Sequence, residues 1–136
     1  MTDPDDAPLE EGRTVTFERT FDHADVERFV EVSEDRGEHH LDPDEEGRLL
    51  VHGLLTATLP TKVGGAYDVL ASQMEFEFHR PVWTGEQIAC AVTFDTVDRE
   101  TDRGRTRVEA SFDCTRTGET VLSGRFRGVV RDEPLG

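Results

Sequence analysis

The second half of the chain alternates between apolar and polar positions with a period of two. Four segments follow this pattern: SQMEFEFHRPV, QIACAVTFDTV, RTRVEASFDCT and TVLSGRFRGVV. Met74, Phe76 and Phe78 share one face, as do alternate residues from Val108 to Phe112, while charged residues take the other face. A period of two is typical of strands with one buried face. The short polar connections DRETDRG and RTGE predict an antiparallel meander of four strands.

The first half begins with a strand pattern and changes to helical spacing. The segment TVTFERTF, residues 14–21, alternates and predicts a strand. Asp22, with Asp25 three residues later, is suited to cap a helix that ends near Ser33. The apolar face of this amphipathic helix consists of Val26, Phe29 and Val30.

A long charged loop and a mostly apolar helix follow. Residues 34–48 contain glycine, proline and dense charge without apolar periodicity, which predicts a loop, and loops of this length are often functional. The segment HGLLTATLPTKVGG is apolar on most sides and predicts a buried helix. Pro60 would shorten or kink this helix, and Gly64 with Gly65 would end it.

This order of elements predicts an α+β fold. A sheet with one solvated face must cover its apolar face, and the single apolar helix is suited to that role. We therefore expect an antiparallel sheet wrapped around a central buried helix. The length of 136 residues suits one domain, so residues 1–136 are interpreted as a single domain with a flexible polar tail at about 1–12.

The charge of the chain excludes several classes of partner. There are 30 acidic and 15 basic residues, a net charge of −15, and Lys62 is the only lysine. Such a surface repels phosphate backbones and anionic lipid headgroups, so nucleic acid and membranes are not expected partners. The carboxylates are scattered along the chain, which favours a salt-adapted, halophilic protein over an acidic disordered tail.

The chain start predicts an intracellular protein, and the two cysteines are interpreted on that basis. The sequence MTDPDDAPLEEG has neither a basic segment nor an apolar run, so no signal peptide is expected, and we predict a soluble cytoplasmic protein. Cys90 and Cys114 lie in strand-like segments without CxxC spacing. They are interpreted as core or sheet thiols, with a disulfide as the less favoured alternative.

Three of the five histidines lie within fourteen residues, in the stretch SEDRGEHHLDPDEEGRLLVHG. This stretch has three interpretations: a metal site, an acid/base pair, or a charged surface loop. A metal site would use Asp35, His39, His40 and Asp42, but adjacent histidines point apart and metal-ligand spacing is lacking. Asp35 and His40 could converge on one small molecule, because an imidazole exchanges protons near neutral pH and a shielded carboxylate is a competent base.

Two further motifs carry weaker signals. In VHG, the Gly53 amide at the start of the buried helix could stabilise developing negative charge; alternatively, Gly53 permits close packing and His52 caps the helix. In FHRPVWTGE, residues 78–86, Pro81 and Gly85 indicate a corner between strands. The remaining two histidines, His23 and His79, are interpreted as surface or packing residues.

These motifs, in this order, resemble the MaoC-like branch of the hotdog superfamily, which includes (R)-specific enoyl-CoA hydratases. That family has S-G-D-x-N-P-x-H-x-D, then V-H-G-x-L-x-A, then F-x-x-P-V-x-x-G-D. Here the three motifs read SEDRGEHHLD, VHGLLTATL and FHRPVWTGE. The resemblance covers residues 14–131 and implies a hotdog fold, with two sheets paired edge to edge in a homodimer or a higher homo-oligomer.

The resemblance also implies an activity and a set of site residues. Asp35 and His40 match the catalytic aspartate and histidine and would hold the water that adds to a trans-2-enoyl-CoA, or that leaves a 3-hydroxyacyl-CoA. Gly53 matches the glycine whose amide holds the thioester oxygen, and His52 precedes it at the substrate-binding end of the helix. Thr61 falls where some hydratases have a serine that positions the water. No cofactor or metal is implied beyond the CoA carried by the substrate.

The chain departs from the family pattern at several positions. The glycine before the aspartate is Glu34, and Gly37-Glu38 replace the Asn-Pro that holds the loop. His39, directly before His40, offers a second imidazole one position away. Two alternative functions stay open: an acyl-CoA thioesterase of the same fold, and an acyl-thioester binding module without catalysis.

Overall fold

The structure, a computed structural model, describes residues 8–133. The strands are β1 Thr14–Thr20, β2 Leu70–Phe78, β3 Gln87–Glu100, β4 Arg105–Arg116 and β5 Glu119–Arg131. The helices are α1 His23–Ser33, α2 Glu38–Leu41, α3 Gly53–Thr56 and α4 Thr58–Ala66, with a 3₁₀ turn at Thr101–Arg103. None of the helices in residues 8–133 has the length and hydropathy that a membrane span requires.

The five strands form one antiparallel sheet in the order β1-β3-β4-β5-β2. The predicted α+β class, a sheet around a helix, is confirmed. The predicted meander is correct for β3, β4 and β5, but β2 pairs with β5 at the far edge and not with β3. The physical reason lies in residues 79–86, which bridge to Leu50 through Trp83 instead of turning tightly, and so carry the chain across the fold.

The core lies between one face of the sheet and the central helix. The strand alternation predicted from the sequence supplies the sheet side, where Ile88, Cys90, Val92 and Phe94 of β3 are buried. Leu59 and Val63 supply the helix side and are fully buried. Leu54, which lies in the segment predicted as a buried helix, is 61% exposed.

The central helix is interrupted once. α3 and α4 meet at Ala57, whose backbone is itself right-handed helical, so residues 53–66 run almost continuously. Pro60 is the third residue of α4 and not an interior residue. Its missing N–H falls in the first turn of α4, where amides have no partner within α4 itself, and the break between α3 and α4 at Ala57 lies just before it. α4 continues past Gly64 and Gly65 to Ala66, slightly beyond the predicted end.

Residues 9–12 of the predicted tail lie against β3. The Gly12 amide donates to the Phe94 carbonyl at 2.7 Å, and Leu9 packs against the core. Residues 1–7 of that tail lie outside the described part of the chain.

Cys90 and Cys114 face each other across β3 and β4. Both are buried free thiols. The hydrogen bond with Cys90 and burial raise the pKa of the Cys114 thiol far above its ordinary value, so it is an unreactive core residue.

α1 begins and ends with defined caps. Asp22 accepts a hydrogen bond from the Asp25 amide at 2.8 Å, and the Asp25 carboxylate accepts one from the Asp22 amide at 3.0 Å, which confirms the predicted N-cap. At the other end Glu34 has a left-handed backbone with φ 60°. This conformation favours glycine, the residue that the resembling family has at the same place.

Glu34→Gly should raise the free energy of unfolding by up to about 1 kcal/mol, because glycine adopts the left-handed conformation without a steric cost. The measurement is urea unfolding followed by circular dichroism. The control is Glu31→Gly, on the exposed face of the same helix, which should lower the free energy of unfolding by about 1 kcal/mol. Destabilisation by both changes would contradict the assignment of strain to Glu34.

Candidate active site

Two of the three sequence motifs meet where α1 ends and the central helix begins. Side-chain nitrogen or oxygen atoms of Asp35, His40 and His52 all lie within 4.8 Å of one another. Asp35 follows the left-handed turn at Glu34. His40 lies on α2, a four-residue helix inside the segment predicted as a loop. His52 directly precedes the central helix.

His40 is held by one short hydrogen bond. Its Nδ1 lies 2.7 Å from the Leu50 carbonyl oxygen. A carbonyl can only accept, so Nδ1 carries the hydrogen and donates, and Nε2 of the neutral ring keeps its lone pair. Nε2 lies 3.8 Å from Asp35 Oδ2. This separation exceeds a direct hydrogen bond, so the two groups face each other across a gap.

The environment keeps His40 neutral. Burial lowers the pKa of His40 below its ordinary value of 6.5 because the charged ring would lose hydration; the Leu50 carbonyl opposes this by raising the pKa, and His52 and His39 lower it further. The Asp35 carboxylate raises the pKa of His40 only as the smallest of these influences. At neutral pH the ring is therefore an unprotonated base.

The third motif, FHRPVWTGE, holds the segment to which His40 of the first motif is hydrogen-bonded. The Val51 amide donates to the Val82 carbonyl at 2.8 Å, and the Thr84 amide donates to the Leu49 carbonyl at 3.0 Å. The buried Thr84 hydroxyl accepts from the Leu49 amide at 3.0 Å. The corner thus fixes residues 49–51, and with them the Leu50 carbonyl that holds His40. This role was not predicted, since no side-chain pattern marks a backbone acceptor.

The Asp35 side chain is 57% exposed, and both this side chain and the Asp35 backbone are hydrogen-bonded to neighbouring residues. The Gly37 amide donates to Asp35 Oδ1 at 3.3 Å, and the Asp35 amide donates to the Ser33 hydroxyl at 3.0 Å. Gly37 also leaves room for His39, since a Cβ there would lie 3.0 Å from the His39 ring. The substituted Gly37-Glu38 pair therefore starts α2 and still brings Asp35 opposite His40.

His52 contacts both members of the pair. Its ring stacks on the His40 ring with a centroid distance of 3.6 Å and an angle of 14°, and Phe29 lies 4.9 Å from it. Its Nε2 donates to the Asp35 carbonyl at 3.1 Å. The predicted capping bond is absent: His52 occupies the N-cap position, but its side chain makes no cap hydrogen bond.

Gly53 opens the central helix, so its N–H has no helical acceptor. A Cβ on Gly53 would lie 2.9 Å from the Phe78 ring, so both sequence interpretations of Gly53, close packing and an accessible amide, fit this position. A groove of about 290 Å³ begins here, lined in part by Leu50, Gly53, Thr56 and Phe78.

The other predicted site residues lie outside the pair. Thr61 is exposed on α4, and its hydroxyl donates to the Thr58 carbonyl at 2.6 Å. His39 is exposed and meets the His40 ring edge-on at 4.1 Å. His23 and His79, expected at the surface, are hydrogen-bonded to the Gly47 carbonyl and the Ser123 hydroxyl.

The cluster of Asp35, His40 and His52 is poorly arranged for a metal ion. Metal-binding lone pairs of imidazole lie in the ring plane, and zinc binds such nitrogens at about 2.0–2.1 Å. The His40 and His52 rings are stacked at an angle of 14°, so their planes do not meet within metal-ligand distance of the ring nitrogens. The Nε2 hydrogen of His52 is also committed to the Asp35 carbonyl.

No protein-family profile matches the chain, and no curated protein matches it. Solved structures do match. The (R)-hydratase from A. caviae is 24% identical with a TM-score of 0.74, covering 88% of this chain and 95% of that one. The R-hydratase from Pseudomonas aeruginosa is 20% identical with a TM-score of 0.73, covering 93% and 84%. The MaoC-like dehydratase from Rhodospirillum rubrum is 19% identical with a TM-score of 0.70, covering 93% and 96%.

The chain therefore has the hotdog fold, as predicted. Its structural neighbours include MaoC-like dehydratases and (R)-hydratases of the hotdog superfamily. At these identities the likeness establishes the fold, and the roles of the site residues stay predictions.

The depressed pKa of His40 should make the protein less stable in acid. Because the unfolded chain binds the proton more readily, the stability contributed by neutral His40 is present above pH 6.5 and is lost as the pH falls from 6.5 towards the lower folded pKa. Urea unfolding across this range would measure it. His40→Asn places a non-titrating donor near the Leu50 carbonyl and should lose less stability; an equal loss would contradict the assignment.

Proposed function

We propose that the protein is a hydratase or dehydratase that adds water to a trans-2-enoyl thioester, or removes it from a 3-hydroxyacyl thioester, with CoA as the carrier. The observation that carries the proposal is the 3.8 Å gap between His40 Nε2 and Asp35 Oδ2. One water between them can donate a hydrogen bond to each. The MaoC-like resemblance of the motifs and the fold of the neighbours support the same chemistry.

The bonding of His40 suggests the direction of proton transfer. Its Nε2 is an acceptor, so it takes a proton from the water while the water oxygen bonds to C3 of the substrate. The electron pair of the C2–C3 double bond moves towards the thioester oxygen, where the Gly53 N–H opposes the growing negative charge. The protonated His40 then returns its proton to C2, and no other reactant is needed. Asp35 holds the second hydrogen of the water and orients it.

We also propose that the active form is a homodimer paired through β2. The strand lies at a sheet edge, and its inward-facing side chains are incompletely covered: Met74 and Phe76 are half-buried and Phe78 is 53% exposed. At the opposite edge the inward-facing Val15 and Phe17 of β1 are buried. A second copy pairing along β2 would cover this apolar face.

Crotonyl-CoA distinguishes this function from its two alternatives. Loss of the enoyl absorbance without free thiol is the expected result. Release of thiol would instead indicate a thioesterase, and neither change would indicate a binding module. Either of these two results would overturn the proposed hydration for this substrate class.

Asp35→Asn and His40→Ala should each lower kcat/KM for hydration by about 100-fold to 10,000-fold, because each removes a group that contacts the reacting water. Unfolding curves should show that both variants stay folded. His39→Ala should have a much smaller effect, since His39 lies outside the gap. A large loss of kcat/KM in His39→Ala, with little loss in His40→Ala, would mean that His39 and not His40 is the imidazole that contacts the water.

The dimer is tested by sedimentation. The wild type should sediment at twice the 15.3 kDa of the chain. Met74→Glu places a charge on the inward face of β2 and should shift the protein to the monomer. Gln73→Glu adds the same charge on the exposed outward face and should not. A monomeric wild type, or equal effects of both changes, would overturn pairing through β2.

A further inference from the structure

His52 has an arrangement that helix packing alone does not explain. It is 2% exposed, and its Nδ1 has no hydrogen-bond partner among the described residues. It supplies no side-chain cap to the helix that it precedes. A buried, unsatisfied acceptor is unfavourable, so an apolar side chain would serve packing better. The benefit of a histidine must come from its remaining contacts.

Those contacts involve both members of the proposed pair at once. The Nε2–H of His52 donates a hydrogen bond to the backbone carbonyl of Asp35. The face of the same ring stacks on the His40 ring. Phe29, on α1, contacts the same ring and limits its movement. One rigid ring therefore connects the loop that carries Asp35 to the imidazole that faces it.

We propose that His52 is the positioning residue that sets the separation between Asp35 and His40, in a chain that lacks the asparagine with which the resembling family holds this loop. The inference deepens the proposed function and rests on it. Gly37, at the place of that asparagine, offers only a backbone amide to Asp35. The hydrogen bond from His52 reaches Asp35 from outside the loop, and in the absence of that asparagine it ties the Asp35 backbone to the start of the central helix.

Three substitutions separate the two contacts of His52. His52→Phe keeps an aromatic face for His40 but removes the donor to Asp35. His52→Gln keeps a donor but removes the stacked ring. His52→Leu removes both. We expect kcat for crotonyl-CoA hydration to fall by about 10-fold in the first two and by up to about 100-fold in the third, with KM changing by less than about threefold.

The matched control is His23, whose Nε2 also donates to a backbone carbonyl, that of Gly47 at 3.0 Å, but on the exposed surface. His23→Phe, His23→Gln and His23→Leu should leave kcat unchanged. Thermal unfolding of all six variants identifies any that fail to fold. The Phe and Gln variants differ in shape, so at least one of them is expected to test the site in a folded protein.

A second measurement does not depend on catalysis. NMR titration should show the pKa of His40 rising in His52→Leu, because a stacked imidazole that lowers it is lost; the other polar groups facing His40, namely His39, Asp35 and the Leu50 carbonyl, stay in place. The amide signals of residues 35–37 should shift as well. The His23 variants should show neither change.

The outcomes are distinct. Folded His52 variants with wild-type kcat, an unchanged His40 titration and unchanged signals at residues 35–37 would overturn the positioning role. If the wild type does not hydrate crotonyl-CoA, the proposed function fails, and the titration and amide shifts alone decide whether His52 positions the pair.

Discussion

The hydrogen bond from His40 Nδ1 to the Leu50 carbonyl determines what the site can do. It fixes which ring nitrogen carries the hydrogen and therefore leaves Nε2 as an acceptor facing Asp35. Without this hydrogen bond the ring could turn or exchange tautomers, and an N–H donor instead of an acceptor would then face Asp35. The backbone bonds from the corner at residues 82–84 keep Leu50 in place, so the arrangement of Asp35 and His40 depends on a segment distant in sequence.

The acidic loop is ordered by local bonding. Asp44 accepts from the Arg48 amide at 2.8 Å and from the Arg48 side chain at 3.0 Å, and the guanidinium lies 4.8 Å from the centre of the Trp83 ring. The loop is thus attached to the same corner that holds Leu50. Ordered in this way, the segment can present His40 to the site although its sequence lacks apolar periodicity.

The sequence alone was sufficient for the larger elements of the fold. Alternation identified the strands, and Asp22 with Asp25 identified the start of α1, because these patterns reflect local burial and capping. The pairing of β2 with β5 could not be seen, since alternation says which face is buried and not which strand is adjacent. α2 was missed because four residues are too few to show a helical period.

The site, like the fold, could be predicted only in part from the sequence. The D-x4-H spacing and the resemblance pointed to Asp35 and His40, whose side chains the structure brings together. The partners that orient them, the Leu50 carbonyl and the stacked ring of His52, depend on tertiary contacts. Phe29 did have a signal, since it shares the apolar face of α1 with Val26 and Val30, but that pattern does not distinguish core packing from contact with a site residue.

The decisive observation concerns the protonation of a single ring. Long-range ¹H–¹⁵N NMR spectra of the ligand-free protein at neutral pH report which nitrogen of each histidine carries the hydrogen. The arrangement described here requires that His40 carry it on Nδ1, with Nε2 unprotonated towards Asp35. A neutral His40 with its hydrogen on Nε2, or a charged ring at that pH, would contradict it.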